Sequence, residues 1–151
     1  MCRISFSDYH FITCWKIRGP IEKAYQILSD GKNYASWWQP AYLSSKEIAP
    51  RKIEALVRAK LPYNLRFVTE LERGNPPHEF KIRASGELEG TGLWRLKQSG
   101  DITEIKFYWD VRANKPLVRW FSCLLKPLFE WNHDWVMKTG EAALQAEVDR
   151  L

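Results

Sequence analysis

The stretch that decides the architecture is Ile102-Thr103-Glu104-Ile105-Lys106-Phe107-Tyr108-Trp109-Asp110-Val111-Arg112, followed from Asn114-Lys115-Pro116 by a helical pattern that runs to Leu151. In the first part Thr103, Ile105, Phe107, Trp109 and Val111 alternate with Glu104, Lys106, Tyr108, Asp110 and Arg112. A period of two, with β-branched and aromatic residues on one side, predicts a strand buried on one face. Asn114 can cap the helix that follows, and Pro116 suits its first turn, where a missing N–H is no loss. Leu117, Phe121, Leu124, Leu125, Leu128, Trp135, Ala142, Ala143 and Ala146 then recur on one face at a period of 3.6. Pro127 lies inside that pattern, so a kink or a shift of helical phase is expected there.

Working outward, the same alternation recurs. Ser5 to Arg18 places Tyr9, Phe11, Thr13, Trp15 and Ile17 on one face. Gly19-Pro20 breaks that strand, and Ile21, Ala24, Tyr25, Ile27 and Leu28 follow at helical spacing to about Ser29. Asp30 or Asn33 can cap a second short helix carrying Tyr34, Trp37 and Trp38, which Pro40 ends. Ile53 to Leu61, Leu65 to Leu71 and Phe80 to Gly86 read as further strands, and Gly74-Asn75-Pro76-Pro77 is the clearest turn. Gly90 and Gly92 interrupt the next strand, as a strongly curved sheet requires, with Trp94 and Leu96 facing inward. Ser99-Gly100-Asp101 turns the chain into the last strand. Short connections make this a meander, each strand has one apolar face, and the long helix is the main element available to cover it. The expectation is one α+β domain over residues 1–151, a curved antiparallel sheet of about seven strands around a C-terminal helix.

Composition narrows the function. The chain has 151 residues, of which 45% are hydrophobic, 14% are aromatic and eight are Trp. Flat rings supply apolar area but leave irregular gaps, which favours a hollow interior or an adhesive surface. The net charge of +5 is scattered among acidic neighbours, as in Lys46-Glu47 and Glu72-Arg73, so no nucleic-acid groove is expected. Cys2, Cys14 and Cys123 lack paired spacing, no signal-type apolar run follows Met1, and no stretch reaches the roughly 18 apolar residues of a membrane span. A cytoplasmic protein is expected. His10, His78 and His133 are far apart and no phosphate loop or nucleophile motif occurs, so no metal or other cofactor is expected.

The candidate ligand residues are Trp15, Trp37, Trp38, Phe67, Trp94, Phe107, Trp109, Phe121, Leu125 and Trp135, which serve equally as core or as pocket lining. Asn132 joins them as an amide on the apolar helix face, satisfied within the protein or anchoring a ligand oxygen. Thr13, Thr69 and Thr139 are weaker polar candidates. His133 and Asp134 are weak catalytic candidates. Adjacent residues diverge by about 100° on a helix, so they cannot act as a pair, and only a phase slip at Pro127 brings one inward. Leu117 to Lys126 mixes Trp120, Arg119 and Lys126 with apolar bulk, which admits transient contact with a membrane surface.

The chain resembles the helix-grip fold of the START-like superfamily, and within it the bacterial polyketide cyclase/dehydrase-like (SRPBCC) proteins. The resemblance rests on Gly19-Pro20-Ile21-Glu22-Lys23-Ala24-Tyr25, Tyr34-Ala35-Ser36-Trp37-Trp38-Gln39-Pro40, Gly92-Leu93-Trp94-Arg95-Leu96, and Trp131-Asn132-His133-Asp134-Trp135-Val136-Met137 with Gly140-Glu141. It implies a sheet–helix cavity for a small hydrophobic molecule such as a lipid, quinone or polyketide, held for transport or sequestration. It also implies, as an alternative, cyclase or dehydrase chemistry in that cavity. A third reading, from the residues themselves, is a membrane-docking or protein-interaction module that uses an exposed Trp120 and its basic neighbours.

Overall fold

Alternation along the chain is realised as one antiparallel sheet. A computed structural model describes residues 8–58, 64–113 and 116–151, leaving out the side chains of residues 8, 113, 116–126, 128 and 129. The strands are β1 (Asp8–Arg18), β2 (Tyr42–Ala49), β3 (Lys52–Val57), β4 (Leu65–Asn75), β5 (Glu79–Gly86), β6 (Leu88–Ser99) and β7 (Ile102–Ala113). Between β1 and β2 lie α1 (Ile21–Ser29), a 3-10 turn (Gly31–Asn33) and α2 (Tyr34–Trp37), and α3 (Pro116–Arg150) closes the order. The sheet order is β1-β7-β6-β5-β4-β3-β2, so β1 and β2 are its two edges.

The inward faces are those the alternation assigns. Trp15 and Ile17 on β1, Ala55 and Val57 on β3, Leu65 and Phe67 on β4, and Thr103 through Val111 at every second position of β7 are buried. The turn expected at Gly74–Pro77 joins β4 to β5, with the strand running on to Asn75. Gly100, at φ 61°, makes the β6–β7 turn in the left-handed region that glycine tolerates. Strand β2 has no expectation of its own from the sequence. It is an edge strand whose residues are mostly exposed, including Leu43 and Ile48, so its alternation carries little signal.

Two expectations are corrected. Neither Asp30 nor Asn33 caps a helix with its side chain. Instead, the Asn33 amide donates to the Asp30 carboxylate. The buried stripe of α3 beyond Pro127 is not the alanine row. Ala142 and Ala146 are exposed and Ala143 is half-buried against the core, while Met137, Gly140, Leu144 and Val148 face the sheet. Carrying a 3.6 period through the proline displaced the face; the packed residues themselves fix the phase. Residues 5–7 of the first expected strand, residues 59–61 of the strand expected from Ile53, the Asn114 cap and the side chains of Phe121, Cys123 and Leu125 lie outside the described residues.

Helix α3 also protects the exposed rim of β1. The backbone N–H groups of Lys16 and Arg18 donate to the Glu141 carboxylate at 3.0 Å and the Gln145 amide oxygen at 2.7 Å. Gln145 in turn donates to the Arg18 carbonyl at 2.9 Å. An edge strand is thereby satisfied by side chains instead of by another strand. No helix among the described residues is long and apolar enough to cross a membrane.

Candidate functional site

Where α3 crosses the concave side of the sheet, helix and sheet meet closely at one end and part at the other. At the close end Gly140 is the contact. A Cβ there would stand 2.5 Å from the Trp38 ring and 2.8 Å from Trp15, so only hydrogen leaves room for the two indoles. Trp38 and Trp15 meet edge to face at 5.6 Å, and the Trp38 indole donates to the Val136 carbonyl at 3.0 Å. This end is solid core.

At the other end lies a cavity of about 340 Å³. That is the size of a small-molecule site. Its floor is a run of nearly parallel rings set by cross-strand pairing. Phe80 faces Trp94, Trp94 faces Phe107, and the Trp94–Phe107 centroids are 4.1 Å apart at 18°. Phe107 and Trp109 continue the stack at 5.4 Å, and Phe67 tilts against Trp109. The rings lie flat because Gly92 sits beneath them. A Cβ at Gly92 would come within 3.0 Å of Phe107 and 2.9 Å of both Trp109 and Ile82. The walls are Leu65, Leu71, Ile82 and Val111 from strands, with Val136 and Met137 from α3.

The cavity has two kinds of polar group. At its rim are Ser29, Asp30, Lys32, Glu47 and Arg51, with Lys32 and Asp30 paired at 3.6 Å. Deeper are Asn132, Thr69, Tyr34, Tyr42 and His133. Asn132 is 4% exposed. The Tyr34 hydroxyl donates to the Leu28 carbonyl. Burial holds the phenols of Tyr34 and Tyr42 well above the ordinary tyrosine range, so both remain neutral. His133 stacks on Phe11 with centroids 3.8 Å apart, and its Nε2 is buried with no hydrogen-bond partner among the described residues. Burial pushes its pKa down from 6.5 to about 4, so the imidazole is neutral near pH 7.

Of the residues singled out from the sequence, Trp38, Phe67, Trp94, Phe107, Trp109 and Asn132 line the cavity. Trp15 and Trp37 are buried away from it, and Trp135 is half-buried against the core. Phe121 and Leu125 carry no described side chain, and the same holds for the Leu117–Lys126 stretch. Asp134 is exposed and His133 turns inward, as the phase slip allowed for. Thr69 lines the cavity, whereas Thr139 spends its hydroxyl on the Val136 carbonyl at 2.7 Å. Tyr9, Phe11, Tyr34 and Tyr42 line the cavity without having been singled out. Tyr9 and Phe11 already shared the inward face of β1 with Trp15, which was the available signal. No group of three or more His, Cys, Asp or Glu side chains that could hold a metal occurs among the described residues.

A curved seven-stranded antiparallel sheet gripping a C-terminal helix is the helix-grip fold. The chain belongs to the polyketide cyclase/dehydrase and lipid transport family, whose model matches residues 15–151. Among solved structures it is similar to a START superfamily protein from Mycobacterium smegmatis (TM-score 0.74, 14% identity, covering 93% of this chain and 97% of that one). It is equally similar to an aromatase/cyclase from a Streptomyces species (TM-score 0.74, 14% identity, 95% and 94% covered). A Thermus thermophilus protein gives a TM-score of 0.74 at 16% identity, with 91% and 98% covered. At such identities the likeness is one of fold. No curated protein matches the sequence.

Proposed function

We propose that this chain binds a small hydrophobic molecule, of the lipid, quinone or polyketide kind, in the sheet–helix cavity and carries or sequesters it. The observation that carries the reading is the 340 Å³ space with its floor of stacked rings. Burying apolar ligand surface there gains about 25 cal/mol per Å² before the cost of immobilising the ligand. The family's association with lipid transport supports it. The exposed thiol of Cys14 fits a reducing, cytoplasmic setting, and the whole chain is read as one domain.

Trp38, Trp94 and Trp109 line the cavity and report on it. Titration with a fatty acid, a naphthoquinone and an anthraquinone should quench Trp emission saturably for at least one of them. Unsaturable or absent quenching by all three removes the proposal. A second reading, an enzyme of cyclase or dehydrase type, is favoured by one observation. The imidazole of His133 is neutral, and its Nε2 is buried at the cavity with no partner among the described residues, so it is placed to accept a substrate proton. Under that reading His133→Gln abolishes turnover of a cognate polyketide while binding persists; undiminished turnover eliminates His133 as the base.

A further inference from the structure

Among the described residues, the charged lining of the cavity lies toward one end. Following the cross-strand register, Phe11 pairs with Trp109, Trp109 with Gly92, Gly92 with Ile82 and Ile82 with Leu71, whose N–H bonds the Arg51 carbonyl. This row crosses the sheet from β1 to the β2–β3 turn. Five strand spacings separate its ends, roughly 24 Å measured along the sheet. The charged lining residues Asp30, Lys32, Glu47 and Arg51 come from β2, the β2–β3 turn and the segment after α1. At the β1 end His133 lies over Phe11, among the lining residues Tyr9, Leu88, Val111, Val136 and Met137. Its charged neighbours on the helix, Glu130 and Asp134, are exposed.

We propose that His133 reads an uncharged hydroxyl on the ligand through Nε2, fixing which end of the molecule lies over Phe11. This rests on the ligand-binding reading above and adds the chemistry of one ligand terminus. A hydroxyl both donates and accepts, so it satisfies either tautomer of a neutral imidazole, whereas an ionised group at this end would meet no countercharge among the described residues. A buried nitrogen with no partner among the described residues also carries a cost that a ligand hydroxyl relieves.

The test uses two probes of nearly equal shape, 2-naphthol and 2-methylnaphthalene, titrated calorimetrically into the full chain and into His133→Phe, which keeps a ring on Phe11. The ratio of the two affinities, naphthol over methylnaphthalene, is expected to fall about tenfold in the variant, with methylnaphthalene still bound. If both probes bind and the ratio shifts by less than about twofold, His133 does not read the hydroxyl. If neither probe binds the unaltered protein, the cavity reading itself falls. Should the variant fail to fold, the ¹⁵N shift of His133 Nε2 in the unaltered protein decides. It moves with 2-naphthol and stays with 2-methylnaphthalene if the inference holds, and responds alike to both if it does not.

Discussion

The two ends of the interface between α3 and the sheet are built from the same kinds of side chain and come to opposite outcomes. Around Gly140, Leu144 and Val148, indoles and aliphatic groups fill the space, and Leu144 is fully buried. Around Asn132, His133 and Val136, equally large rings leave about 340 Å³ open. The difference does not come from residue size. At the packed end a glycine on the helix lets two indoles reach its backbone. At the hollow end a glycine on the sheet, Gly92, lets rings lie down against the strands, away from the helix. One missing Cβ closes the interface, and another holds it apart.

Large-to-small substitution should separate the two ends most sharply. Leu144→Ala is expected to cost about 3 kcal/mol, because it opens a new void in solid core. Val136→Ala, beside space already open, should cost about 1 kcal/mol. Urea unfolding of both variants measures the contrast, and equal losses would mean that the two ends are packed alike.

Acid should act on the hollow end. His133 has a folded-state pKa of about 4 against 6.5 when unfolded. Between those values the unfolded chain holds a proton that the folded chain refuses, so stability is retained above pH 6.5 and lost as pH falls towards 4. The loss attributable to this side chain is up to about 3 kcal/mol. Subtracting the pH profile of His133→Phe from that of the unaltered protein isolates it. A flat difference would place the imidazole in water.

A smaller contrast sharpens where the boundary runs. The Trp38 indole N–H is bonded to the Val136 carbonyl, whereas the Trp37 N–H is buried without a partner among the described residues. Trp38→Phe should therefore cost about 2 kcal/mol, and Trp37→Phe less than about 1 kcal/mol, since it also removes an unsatisfied donor. Thermal unfolding of the pair tests this, and the reverse order would contradict the hydrogen-bond assignment.

How much of this is readable from residues alone follows the range of the forces involved. The inward faces of β1, β3, β4 and β7 were legible because alternation is local, and so was the order of elements. Strand β2 was not, because an exposed edge needs no apolar face. The phase of α3 past Pro127 was lost because Gly140 and Val148 are chosen by partners more than 100 positions away, Trp15 and Trp38 for the one and Gly19 for the other. The aromatic set could be recognised but not divided. Trp15 and Trp94 have the same chemistry, and only the close approach of Gly140 puts one in core while the other faces open space. His133 was visible as a weak candidate, but its inward turn depended on that same helix phase.

The claim that the two ends differ by a real void is tested most directly by crystals of the unliganded protein under xenon pressure. An apolar cavity of this size, dry or emptied of ligand, should show ordered xenon over the Trp94–Phe107–Trp109 floor and none between Gly140 and Trp38. Val136 and Met137 seated against those rings, with no xenon between, would contradict it.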